Sequence, residues 1–391
     1  MNPSAKSNVV IAFDTWTLAS EFGHSGTYVY ARQILGGLRE RAALHGAEVR
    51  PFVCRSNDAG GFTPIAGFRP INSRLLRHGP LWRYGGGWLS AVLQRPDVIF
   101  SPSFTTLQNR SDAARVTTIH DVTPVVMPNF APEKTLRRMR FFLRHAARAS
   151  DRLIAISESC KRDLMRVYDV PEPRINVVYS GYDKVHFNAC PADQKLTAVL
   201  RQKYQLHKPY IFHHGLMQPR KNLLRLIQAF RVVLSRDRNL DLDLVLAGPL
   251  GWRGEEILAA ATQNSGDRGR VVLTGALSDS DLATLLKGAT LTAIPSLYEG
   301  FCLPMVESMA CGIPTIAADT SCLPEVSGGV LKYFDPESVE SLAACMEAVL
   351  SNEELRKELS RRGAERAGQF DWGCCAEQTL RVLLEAARAV S

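Results

Sequence analysis

PYIFHHGLMQPRKNLLRLIQAFRVVL, residues 209–234, joins two periodicities through one turn. PYIFHHG (209–215) is nearly continuously apolar, the pattern of a strand buried on both faces of a parallel sheet. NLLRLIQAFRVVL (222–234) places Leu223, Leu226, Ile227 and Phe230 on one helical stripe behind Asn222, read as the helix cap. A strand feeding a helix in this way is half of a βαβ unit. The turn between them carries Arg220 and Lys221, so two cations face the C-terminal strand edge, where such sheets bind ligands. A helix dipole disfavours cations at its N-terminus, which points to a negatively charged ligand for this pair.

The same alternation runs outward in both directions. Upstream strand candidates are NVVIAFD (8–14), AEVRPFVC (47–54), DVIFSPS (97–103), RVTTIHD (115–121), RLIAISE (152–158) and INVVYSG (175–181). Downstream come DLVLAGP (243–249), VVLTG (271–275), TLTAIPS (290–296) and PTIAAD (314–319), with SDSDLATLLKGA opening a helix at Ser278 with capping-box spacing to Asp281. Two blocks of strand–helix alternation in 391 residues predict two doubly wound α/β domains, with a cleft between them as the expected site. The stretch from about Tyr182 to Lys208 has no strong period and reads as a linker, and 338–389 reads as mostly helical.

Composition narrows the class. With 46% hydrophobic and 22% charged residues, and no apolar run near eighteen residues, the chain is not expected to span a membrane. The N-terminus lacks a signal-peptide pattern, and nine cysteines without a CxxC pair argue against a disulfide framework and a zinc site; a reducing cytoplasm fits. A net charge of +8 suits nucleic acid, an anionic membrane surface or a phosphorylated substrate, and does not choose among them.

SLYEGFCLP (296–304) sharpens the choice. Pro304 suits the first helical position, Gly300 permits close backbone approach, and the amides and dipole of the following helix favour an anion. Yet Glu299 precedes this helix and Glu307 follows eight positions later. Carboxylates repel a phosphate but accept hydrogen bonds from a sugar diol, which suggests a nucleotide sugar across the helix end. Arg220 and Lys221 would then neutralise its diphosphate as the bond to the sugar breaks. A glycosidase pair is the competing use, but such carboxylates lie roughly 5 to 9.5 Å apart, whereas eight residues of continuous helix rise about 12 Å. A capping glutamate beside a solvated one is the purely structural alternative.

PRKN before a helix, the Glu–Gly–Phe stretch with its second glutamate, and ACGIPTIAADTSCLPEV (310–326) together resemble the retaining glycosyltransferases of family 4. GHSGTYVYARQIL (23–35) is similar to the family's N-terminal glycine loop and first helix, and TIHDVTP (118–124) to its histidine segment. LIAISESCKRDL (153–164) and VVYSGYDKVHF (177–187) are similar to its interdomain strands. The resemblance implies an α/β protein of the GT-B fold: two Rossmann-like doubly wound domains facing across an active-site cleft. An acceptor-binding domain would cover 1–195, joined by a C-terminal helix at about 372–391, and a nucleotide-sugar domain 205–370. By position, Glu299 would bind donor sugar hydroxyls, Glu307 the ribose, and Arg220 and Lys221 the diphosphate, with His120 beside the donor sugar. Gly26 would lie near the diphosphate or acceptor, and Gly215, Gly300, Phe301, Cys302 and Leu303 would line the donor site. No metal or cofactor is expected. Leu216 stands where many relatives carry arginine, Cys302 where glycine is common, and Ser180 where asparagine is frequent.

Three features stand outside this constellation. His213 and His214 read as structural strand residues. Asp241 and Asp243 form a DxD pattern that in other glycosyltransferases holds a metal, but no third ligand accompanies it, so a structural role is expected. EKTLRRMRFFLRHAARAS (133–150) keeps Leu136, Met139, Leu143 and Ala146 on one side and carries Lys134, Arg137, Arg138, Arg140, Arg144 and Arg148, a basic amphipathic helix suited to an anionic membrane surface or to packing on its own domain.

The expected reaction is transfer of a hexose or deoxyhexose, mannose or rhamnose favoured, from a nucleoside diphosphate sugar to a saccharide hydroxyl, on a lipid-linked glycan of surface polysaccharide assembly. The place would be the cytoplasm or the inner face of its membrane. A sucrose- or trehalose-type synthase and a sugar-nucleotide epimerase are alternatives. So is a noncatalytic sugar-nucleotide or nucleic-acid binder, although no RNA-reading signature accompanies the basic run.

Overall fold

A computed structural model describes residues 8–19, 25–55, 69–72, 95–104, 112–263 and 269–390. The chain divides into two compact units: Met1–Val126, Glu133–Gly181 and Asp371–Ser391 form the first, and Met127–Pro132 with Tyr182–Phe370 the second.

The first unit holds a seven-stranded parallel sheet in the order β3-β2-β1-β4-β5-β6-β7. Its strands are β1 (Val9–Asp14), β2 (Ala47–Arg55), β3 (Arg69–Asn72), β4 (Val98–Ser101), β5 (Ala114–Ile119), β6 (Arg152–Ala155) and β7 (Ile175–Val177). The strand order reverses between β1 and β4, which puts the ligand-binding edge of a doubly wound sheet at Asp14 and Ser101. The C-terminal helix Trp372–Val390 buries Ala376, Leu380, Leu383 and Ala387 and packs on the Gly26–Arg41 helix and on β4 and β5. The two helices meet at Gly37, where an added Cβ would stand 2.5 Å from that of Ala376.

The second unit holds a six-stranded parallel sheet in the order β10-β9-β8-β11-β12-β13. Its strands are β8 (Tyr210–His214), β9 (Asp243–Ala247), β10 (Val271–Gly275), β11 (Leu291–Ile294), β12 (Thr315–Ala318) and β13 (Lys332–Phe334). Every residue of β8, β9, β11 and β12 is buried, as their continuous apolar sequences require. The helix Leu223–Arg236 turns Leu226, Ile227 and Phe230 wholly inward. Each such side chain contributes about 1.5–3 kcal/mol on burial.

Two strands escaped the sequence pattern. RPIN (β3) contains Pro70, and KYF (β13) is three residues long; each lies at the edge of its sheet, where short segments and proline are tolerated and periodicity is too brief to read. The stretch read as a linker carries a helix, Gln194–Lys203, started by the Asp193 carboxylate, which accepts the Leu196 N–H at 2.8 Å. Only Leu200 of that helix is buried, so it shows no apolar stripe.

The basic segment forms the helix Glu133–Ala149. Leu136, Leu143 and Ala146 are buried and Met139 half-buried, while Lys134, Arg137, Arg138, Phe141, Arg144 and Arg148 lie exposed along the opposite stripe. Arg140 leaves that stripe: its Nε donates to the Pro124 carbonyl at 2.6 Å. None of the described helices is long and apolar enough to cross a membrane.

Candidate active site

The cation-bearing turn after β8 folds as a short 3-10 turn, Pro219–Lys221, which tucks Lys221 inward to 6% exposure. Gly215 ends the strand at φ 127°, a backbone angle that glycine adopts without steric cost, and a Cβ there would stand 3.7 Å from Lys221 Cε and Nζ. Asn222 sits at φ 58° and does not cap the helix with its side chain, contrary to the sequence reading. Its Nδ2 instead donates to the carbonyls of Pro295 (3.1 Å) and Pro336 (2.8 Å), tying this turn to the loops after β11 and β13.

The loop after β11 brings Glu299 against both cations. Lys221 Nζ lies 2.7 Å from Glu299 Oε1, and Arg220 Nη1 lies 2.7 Å from Oε2 while also donating to the Tyr298 carbonyl at 2.5 Å. The Leu297 N–H donates to the Arg220 carbonyl at 2.9 Å, and the Ser321 hydroxyl accepts the Glu299 N–H at 3.0 Å, so both backbones are fixed as well. Burial raises the pKa of Glu299, but the charges and hydrogen bonds of Arg220 and Lys221 outweigh it and hold the carboxyl at about 2. Two positive charges against one negative leave the buried cluster cationic. The carboxylate before the helix is thus the shared counter-charge of buried Lys221 and half-buried Arg220.

The helix after this loop starts at Leu303, so Pro304 is its second residue and not its first. The continuous helical span assumed in comparing Glu299 with Glu307 is therefore absent. Cys302 precedes the helix at φ 68°, ψ 69°, the left-handed region that explains why glycine suits this place. Burial, with the Glu299 charge adding to it, pushes its thiol to about 12, so the sulfur stays protonated and unreactive. Gly300 and Phe301 are buried, and the Phe301 ring packs edge-on against Phe370 at 5.2 Å. Leu303 is half-buried.

Glu307 lies within the helix Leu303–Ala310, and His214 Nε2 stands 2.8 Å from its Oε2. Sequence reading treated His214 as structural and missed this bond. His213, on the opposite face of β8, lies 2.9 Å through Nδ1 from the Ala293 carbonyl; burial and then the Lys221 charge lower its pKa to about 3, so it stays neutral. The DxD residues have separate partners: Asp243 pairs with Arg270 at 2.9 Å and Asp241 with Lys208 at 2.7 Å. Among the described residues one group, Asp183, His186 and Asp279, meets metal-ligand spacing, but Asp183 and His186 already bond each other at 2.7 Å.

His120 and Gly26 belong to the first unit. His120 follows β5, half-buried, with Nε2 2.8 Å from the Pro102 carbonyl and its ring edge-on to Tyr30 at 4.8 Å. Burial lowers its pKa, against the raising effects of that carbonyl and of Asp121, which favours a neutral imidazole. Tyr30 lies on the helix that Gly26 opens, capped by Ser25 Oγ accepting the Tyr28 N–H at 3.2 Å. Gly23 and His24 of the glycine loop lie outside the described residues.

Two doubly wound parallel sheets, one with a cationic cluster at its strand edge, are the architecture of a two-domain α/β enzyme. The chain belongs to the glycosyltransferases of group 1 and family 4: residues 199–366 match the Glycosyl transferases group 1 family and residues 25–186 Glycosyltransferase Family 4. It is 30% identical over 291 residues to the O-antigen chain mannosyltransferase B of Escherichia coli, covering 74% of this chain and 75% of that protein. It is also 30% identical over 261 residues to the serotype-specific mannosyltransferase WbdA of Escherichia coli, covering 65% of this chain but only 31% of the relative, so the match spans about a third of that longer protein. In structure it resembles the sucrose-phosphate synthase of Thermosynechococcus elongatus, with a TM-score of 0.74 at 20% identity over 97% of this chain and 100% of that one. The last likeness speaks for the GT-B class of fold. The protein is a glycosyltransferase.

Proposed function

We propose that the enzyme transfers a mannosyl unit from a nucleoside diphosphate sugar to a saccharide hydroxyl, with retention of anomeric configuration. The surplus positive charge of the Arg220–Lys221–Glu299 cluster carries this reading. An ammonium has three donors and a guanidinium five, more than the bonds to Glu299 alone require of either cation. In this reading Glu299 orients donor sugar hydroxyls, Glu307 binds the ribose, and His120 lies by the sugar. The departing diphosphate, stabilised by the cations and by the amides of the Leu303–Ala310 helix, takes the acceptor's proton as the new bond forms on the same face. No protein nucleophile and no metal take part. Mannose is favoured because the relatives named above are mannosyltransferases; their O-antigen setting supports a glycan on a lipid carrier as acceptor. The exposed basic stripe with Phe141 at its centre supports docking on an anionic cytoplasmic membrane surface.

Incubation with GDP-, UDP- and dTDP-linked sugars and mannoside acceptors, in the presence of a chelator, tests the reading. Transfer from a mannose nucleotide, giving an α-linked product by NMR and undiminished by the chelator, is the expected result. Transfer only to a free sugar phosphate would favour a synthase, and a β-linked product would exclude retention. Co-sedimentation with phosphatidylglycerol vesicles, lost in an Arg137→Glu, Arg144→Glu variant and absent with phosphatidylcholine, tests the membrane contact.

A further inference from the structure

His214 is buried to 3% exposure at the end of β8, and its two ring nitrogens have unequal surroundings. Nε2 meets Glu307 Oε2 at 2.8 Å; Nδ1 is buried with no hydrogen-bond partner among the described residues. A proton on Nδ1 would be sealed in without an acceptor, so the surroundings support the tautomer that carries its proton on Nε2 and donates to the carboxylate. The ring is also held from the side, 5.8 Å from Phe212 at a 38° tilt. A buried donor on a central strand of the sheet thus grips one oxygen of a carboxylate that stands on a helix.

Glu307 has three side-chain torsions and only one such anchor. Its Oε1 takes no hydrogen bond among the described residues, while the side chain as a whole is 16% exposed. A carboxylate offers about four lone-pair sites, so the bond from His214 leaves enough for two hydroxyls. We propose that His214 is the positioning residue of the ribose carboxylate: its Nε2–H fixes Glu307 in the one orientation that presents it to a vicinal diol. This inference rests on the assignment of Glu307 to the ribose.

Calorimetric binding of GDP and UDP against their 2′-deoxy forms tests both layers. Wild type should prefer the tighter-binding ribonucleotide over its 2′-deoxy form by about tenfold or more, the range of a hydrogen bond to a charged group. Glu307→Gln should shrink that preference. His214→Phe, and His214→Leu should the first not fold, should shrink it by a similar factor with thermal unfolding still cooperative. His214→Gln, which keeps an N–H near the same place, should retain it within about threefold. Donorless variants that keep the wild-type ratio would overturn the inference, as would a glutamine variant that loses it as fully as phenylalanine. If Glu307→Gln keeps the ratio, the ribose assignment itself fails, and the role of His214 with it.

Discussion

Asp14 closes β1 in the first unit, and Glu299 follows β11 in the second; both carboxylates are buried near the C-terminal edge of a parallel sheet. Their surroundings move them in opposite directions. Asp14 accepts the Trp16 N–H at 2.9 Å, and burial outweighs that bond and raises its pKa to about 7. Glu299 is just as enclosed, but two cations at 2.7 Å overcome burial and bring it to about 2. Equivalent sheet edges therefore differ in charge rather than in topology: the second gathers two cations around one carboxylate, while at the first Thr17 Oγ1 and Ser103 Oγ lie 3.2 Å apart.

Breaking the cationic edge should have the largest effect. Lys221→Ala removes one of two cations from the leaving group and should lower kcat/KM by about 10²–10³, the scale of losing one preorganised electrostatic contact. Steady-state kinetics at saturating acceptor checks this, and an unchanged turnover number would count heavily against the assignment.

Glu299→Gln should come next, with a loss of roughly 3 kcal/mol of stability because buried Lys221 and half-buried Arg220 lose their shared counter-charge. The pH dependence has a definite sign. The folded carboxyl titrates at about 2 against an ordinary 4.5, so its stabilising contribution is complete above 4.5 and fades as pH falls from there through 2. Urea titrations at successive pH values should show this acid limb in wild type and its reduction in the variant.

Asp14→Asn should behave in the opposite sense. Here the folded pKa is raised, so wild type loses stability as pH rises from 3.8 through 7. The asparagine variant should match wild type near pH 4 and exceed it by on the order of 2 kcal/mol at pH 8. A variant that is equally destabilised at both pH values would erase the contrast between the two edges.

Cys302 gives the smallest expected effect. Glycine relieves the left-handed backbone but loosens the unfolded chain, so Cys302→Gly should change stability by less than about 1 kcal/mol and preserve transfer. Cys302→Val places a β-branched residue at φ 68° and should cost about 2 kcal/mol by thermal unfolding.

The local parts of this contrast could be read from the sequence. Continuous apolar runs located the central strands, and the residue types Arg220, Lys221, Glu299 and Glu307 were recognisable from their place beside helix starts. What joins them was not readable, because it spans long separations. The Lys221–Glu299 bond links residues 78 apart and the His214–Glu307 bond residues 93 apart, and no local pattern encodes either. Thus the sequence suggests hydroxyl binding for Glu299 and carries no sign of its pairing with both cations. His214 was passed over because a histidine within an apolar strand carries no signal of what faces it. The true role of Asn222 was hidden in the same way: its bonds to Pro295 and Pro336 replace the helix cap that its position suggests.

The central claim is that the second sheet's edge grips a nucleotide through its diphosphate. Calorimetry comparing GDP and UDP with guanosine and uridine, in wild type and in Lys221→Ala, tests this most directly. The account predicts that one diphosphate binds wild type at least about 100-fold tighter than its nucleoside, and that the lysine variant loses most of this difference. Equal affinity for nucleoside and diphosphate, or a difference that survives in the variant, would contradict it.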